Sequence, residues 1–79
     1  MYYYYNKFSQ IGTFIISQNI KNSGKWNLII DDKLIGVYRN PELAANAVYL
    51  KKTGYKLWDL LDPNPDNPYN LSKWTKVED

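Results

Sequence analysis

The chain has no cysteine and no histidine. Their absence removes disulfide staples, thiolate redox chemistry, Cys/His zinc clusters, and the Ser-His and Cys-His pairs of nucleophilic catalysis. Its four glycines are scattered, so no Gly-rich loop is available to cradle phosphate. No apolar run approaches the roughly 18 residues of a membrane span. The start, MYYYYNKFSQIGTFIIS, lacks the charged and apolar regions of a secretory signal. The expectation is a soluble, cytoplasmic protein with no membrane partner, and the lack of cysteine fits a reducing compartment.

What is abundant is aromatic: eight Tyr, three Trp and two Phe in 79 residues. A single domain of this length, residues 1–79, hides only about 60–65% of its unfolded surface. Large rings are the expected compensation for the missing staples. Charge is uneven. Residues 1–58 carry eight basic and three acidic side chains, whereas residues 59–79 carry two and five. A basic body with an acidic tail can attract nucleic acid, or the tail can lie on the body and neutralise it; the second is preferred, because the usual basic patch is missing.

Tyr2 to Tyr5 form a run with strand preference that is expected to be paired or packed at a sheet edge. Phe14 to Gln18 reads as a first strand, followed by a polar NIKNSG loop. In the next strand Trp26, Leu28 and Ile30 alternate with Lys25, Asn27 and Ile29. Asp31-Asp32 makes the turn, and Leu34 to Arg39 returns. A two-residue turn pairs Ile29 with Leu34, Leu28 with Ile35, Trp26 with Val37 and Lys25 with Tyr38. A three-residue turn would instead set Trp26 opposite Tyr38, but it calls for a left-handed residue, usually Gly, and none is present.

Asn40-Pro41-Glu42 is a helix start: Asn caps, Pro suits the first turn, and Glu complements the dipole. Lys51 and Lys52 suit the other end, and Gly54 is the expected left-handed stop. Leu43, Ala44, Ala47, Val48 and Leu50 gather on one side of the wheel. The fold class is therefore α+β: a three-stranded antiparallel sheet packed on one α-helix, with a core over residues 14–54 and an aromatic N-terminal segment. Residues 55–79 read as an irregular strap, broken by DPNPDNP and anchored by Trp58 and Trp74.

One helix covers one face of such a sheet. The other would carry Ile29, Leu34 and Tyr38 beside Lys25, an apolar patch that either the chain's own ends or a partner must cover. These four residues form the candidate binding site. If the strap covers that face, the site moves to the helix exterior, with Asn46, Tyr49 and Lys52 beside Ala45.

Gly24-Lys25-Trp26, Ile35-Gly36-Val37-Tyr38 and Ala44-Ala45 resemble the plant AP2/ERF-type DNA-binding domain over residues 14–53. The resemblance implies a three-stranded sheet on a helix, with the open face reading the major groove. Ile29, Asp31 and Leu34 then fall where base- and phosphate-reading groups are expected, and they offer neither cations nor suitable donors. The tail, TGYKLWDLL followed by LSKW, is similar to short bacterial or phage proteins of unassigned function.

The adjacent acidic pair of the body, Asp31 and Asp32, sits in a turn where Asp is conformationally favoured. Asp62, Asn64 and Asp66 have the one-three-five spacing of a calcium loop, but Asn67 and Lys73 occupy the positions of its Gly and Glu. No catalytic, metal or cofactor site is assigned. The leading function is a small non-catalytic module that binds another protein or a second copy of itself, the class expected of an accessory or phage/mobile-element protein. DNA binding is the alternative.

Overall fold

The computed structural model describes residues 1–8, 10–62, 68 and 70–78. Its elements are β1 (Tyr2–Tyr5), β2 (Phe14–Gln18), β3 (Trp26–Ile30), β4 (Lys33–Tyr38), α1 (Pro41–Tyr49), α2 (Lys56–Asp59), a 3-10 turn (Leu71–Lys73) and β5 (Thr75–Val77). The strands form one antiparallel sheet in the order β4-β3-β2-β1-β5. The α+β class holds, but the sheet has five strands where three were expected. The tyrosine run is not at an edge, because the tail returns as β5 and pairs with it, Tyr2 opposite Val77 and Tyr4 opposite Thr75.

The β3–β4 hairpin closes on the expected two-residue turn. Asp31 and Asp32 both have positive φ, 53° and 61°, the sign that a type I′ turn requires at both central residues. Ile29 pairs with Leu34, as that turn dictates. The register then shifts by one: Leu28 faces Gly36, Asn27 faces Val37 and Trp26 faces Tyr38. The extra residue is Ile35, a β-bulge, so the expected Leu28–Ile35, Trp26–Val37 and Lys25–Tyr38 pairs do not form.

Asn40 caps α1, its side-chain oxygen accepting from the Leu43 amide at 2.8 Å. The helix stops earlier than expected. Lys51, not Gly54, takes the left-handed position at φ 56°, and the Lys52 amide donates back to the Ala47 carbonyl at 2.9 Å. The buried side of α1 is Pro41, Ala44, Ala45 and Val48, while Leu43 and Leu50 are exposed. The buried stripe is centred on Ala44, Ala45 and Val48, and Leu43 and Leu50 fall outside it.

The core lies between the sheet and α1. It joins Phe14, Ile16, Leu28 and Ile30 of the sheet to Ala44, Ala45 and Val48, and also to Tyr5, Phe8, Ile11, Trp58 and Trp74. The Trp58 ring centre lies 5.0 Å from that of Phe8 and 5.0 Å from that of Phe14, and its indole N–H donates to the Val48 carbonyl at 2.8 Å. Trp74 closes the other side, 5.8 Å from Tyr5. Both strap tryptophans therefore anchor on the helix side of the sheet.

Candidate functional site

Alternation assigns the other sheet face residue by residue. With the observed registers, one row across it runs Leu34, Ile29, Ile15, Tyr4, Thr75. The next runs Val37, Asn27, Ser17, Tyr2, Val77. Neither row holds a charged side chain. No residue of either row is fully buried, and Leu34 leaves 61% and Val37 45% of its surface open. Trp58 and Trp74 of the strap pack on the opposite face, and β5 joins the sheet as its edge strand.

Of the expected site, Ile29 and Leu34 stand side by side in the first row. Tyr38 does not join them. The bulge at Ile35 inverts its parity, and it packs beside Trp26 against the core. Burial, and then the nearby Asp59 carboxylate, raise the Tyr38 hydroxyl pKa above its usual 10.0. Lys25 precedes β3 at the rim, where its carbonyl accepts from the Asn19 amide at 3.0 Å. The Asn19 side-chain amide reaches Asn27 on the face at 2.9 Å, so polarity rises toward that end.

Sequence reasoning missed Ile15, Tyr4, Val37, Tyr2 and Val77. The runs FIIS and YYYY show no alternation of polarity, so only strand pairing reveals which members face outward. An unbulged two-residue hairpin would pair Val37 with Trp26 on the covered face, and the bulge turns Val37 outward.

On the helix exterior, Asn46, Tyr49 and Lys52 are exposed, but Ala45 is fully buried, contrary to expectation. Asn46 borders a shallow cavity of about 310 Å³ with Glu42, Leu43, Asn70 and Leu71. Tyr49 and Lys52 do not line it, so these exterior residues do not converge on one feature.

The acidic pair Asp31-Asp32 occupies the hairpin turn, with both residues exposed. Among the described residues, no three of His, Cys, Asp and Glu converge as a metal site would require. The calcium-like spacing depends on Asn64, Asp66 and Asn67, which lie outside the described residues. No helix among the described residues is long and apolar enough to cross a membrane.

Asp59 organises the start of the tail. Its carboxylate accepts from the Thr53 hydroxyl at 2.7 Å and from the Gly54 amide at 2.8 Å. Lys51 extends over the Trp58 ring, with Nζ 3.5 Å from the centroid, and donates to the Trp58 carbonyl at 3.2 Å. Desolvation there lowers its pKa, against the opposing pull of Asp59 and Asp62. Acidic residues of the tail thus lie near a cation of the body, and Lys76 pairs with Glu78 at 3.3 Å within the tail itself.

No family model, no curated protein and no solved structure matches this chain.

Proposed function

We infer that this chain is a small cytoplasmic, non-catalytic module that works by binding protein through its open sheet face. One observation carries the reading: ten contiguous outward positions hold no charge, and Leu34, Ile29, Ile15 and Tyr4 line up across four strands. Leu34 and Val37 leave 61% and 45% of their surface open, apolar area whose removal from water stabilises a contact by roughly 25 cal/mol per Å². The aromatic and aliphatic make-up, with charge confined to the rim, is the composition of an interface centre.

The test is a photoreactive side chain installed at Leu34, with a control at Lys56 on the opposite side, activated in cells that make the protein. A protein adduct from position 34 and none from position 56 is the expected result. The absence of any protein adduct at position 34 sinks the reading.

DNA binding has less support. Lys25 and Arg39 flank one end of the face, but Lys33 stands at the turn end, on the core side, 5.8 Å from the Tyr55 ring centre. Duplex binding that weakens steeply with salt would revive it.

A further inference from the structure

The helix side of the molecule carries a separate site that uses none of the open-face residues. There the 3-10 turn packs against α1, and the two enclose the cavity of about 310 Å³ lined by Glu42, Leu43, Asn46, Asn70 and Leu71. We propose that this cavity takes an alkyl cation, an ammonium or guanidinium group on a short aliphatic stem, with the charge on Glu42 and the stem on Leu43 and Leu71.

The three helix residues share one strip of α1. On an α-helix Asn46 falls between Glu42 and Leu43, all within about 100° of arc, and away from the buried stripe of Ala44, Ala45 and Val48. Both walls are fixed by their own hydrogen bonds. Asn40 holds the start of α1 through the Leu43 amide at 2.8 Å. Asn70 holds the 3-10 turn, its side-chain oxygen accepting from the Ser72 amide at 3.0 Å and from the Ser72 hydroxyl. Leu71 packs against the core, and Trp74, just beyond the turn, is buried in it. Side chains already held in place cost less ordering when a ligand arrives.

The lining selects the ligand by charge. Glu42 is the one charged residue on the cavity, and among the described residues its carboxylate has no ion-pair or hydrogen-bond partner. The Asn46 oxygen, one helical turn away, is a second acceptor, whereas the Asn70 oxygen is occupied by Ser72. Two acceptors, one of them anionic, match a cation with several N–H donors. A bare metal ion does not fit, because two side chains fall short of the six to eight oxygens that calcium takes. The apolar part of the lining selects a stem. Leu43 leaves 44% of its surface open, and with Leu71 it offers methylenes a floor while the charged head stays at the rim. The positive end of the α1 dipole opposes a cation here, so the contact depends on Glu42.

A partly exposed ion pair and a few buried methylenes make a weak site, with a Kd of about 1–10 mM for a small ligand. The same chemistry is carried by free aliphatic amines and by lysine and arginine side chains of a peptide.

The test follows amide chemical shifts of the isotope-labelled full chain, at constant ionic strength, against n-butylguanidinium, n-butylammonium and the neutral n-butylurea. Both cations are expected to move the signals of Leu43, Asn46 and Leu71, saturating in that range, with n-butylurea at least about fivefold weaker. Glu42→Gln, which keeps the shape and removes the charge, is expected to weaken both cations by about fivefold or more. Its amide spectrum checks that the fold survives. Leu43→Ala, the second variant, should weaken n-butylguanidinium by about twofold to threefold through the stem. N-acetylarginine amide separates the sources: binding as tight as that of n-butylguanidinium assigns a peptide side chain, weaker binding assigns a free amine, and either supports the alkyl-cation site.

No movement of these signals by about 50 mM, well above the expected Kd, overturns the proposal. So does equal binding of n-butylurea, or a Glu42→Gln protein that binds the cations unchanged. The open-face reading involves none of these residues and is decided separately by the adduct at position 34.

Discussion

Lys51 adopts φ 56° at the position after the helix cap where chains most often place glycine. A left-handed non-glycine residue costs about 1 kcal/mol, and here the side chain offsets it by sitting on the Trp58 ring and bonding the Trp58 carbonyl. Lys51→Ala keeps the strain and loses the contacts, whereas Lys51→Gly loses both. Urea denaturation should therefore find the glycine variant more stable than the alanine variant by about 1 kcal/mol. Tyr38 supplies a residue-scale pH dependence. Because its folded pKa is raised above 10.0, its contribution is complete below that value and is lost as pH rises through the folded pKa. Lys51, with its pKa lowered, acts in the opposite sense over the alkaline range. Tyr38→Phe should then narrow its stability gap to the parent as pH climbs past about 10, read by denaturation at successive pH values. A gap that widens would contradict the burial assigned to this hydroxyl.

The β3–β4 hairpin shows how an element inherits the choices of its residues. Two successive left-handed aspartates make a turn that Asp-Gly would make with less strain. Asp32→Gly is expected to stabilise the protein by about 0.5–1 kcal/mol, measured by thermal melting. Gly12 constrains the same turn from outside. At φ 118° its added Cβ would come within 2.8 Å of the Asp31 Cβ, so Gly12→Ala should cost about 2 kcal/mol or more. The four-residue α2 has no side-chain cap and is too short to persist alone. It is held by Trp58, whose replacement by Phe removes the bond to the Val48 carbonyl and leaves space beside Phe8 and Phe14. A loss of about 2–3 kcal/mol is the expected result of equilibrium denaturation.

At the scale of the whole molecule, the two ends of the chain protect each other. β5 covers the outer edge of β1, a row of tyrosines with strong strand preference. Ending the chain after Trp74 keeps the aromatic anchor and uncovers that edge. The truncated protein should lose about 1–2 kcal/mol and aggregate faster than the parent at equal concentration, followed by thioflavin fluorescence and light scattering. The described tail anchors through its tryptophans on the helix side and through β5 at the β1 edge.

The sequence by itself determined the local elements: the Asn40-Pro41-Glu42 start of α1, the Asp31-Asp32 turn, and the Ile29–Leu34 pair. Each depends on the conformational preferences or side-chain hydrogen bonds of residues close together along the chain. Tertiary structure decided the rest. The bulge at Ile35 carried Tyr38 from the candidate face to the core and Val37 the other way, since a single inserted residue inverts alternation beyond it. The strap's side of the sheet was settled by Trp58 and Trp74, which pack against Phe8, Phe14 and Tyr5 in the core. Ile29 and Leu34 were legible as an outward pair, but the uncharged surface around them was not. That surface exists only where five separate strands, each ambiguous alone, are brought into one register.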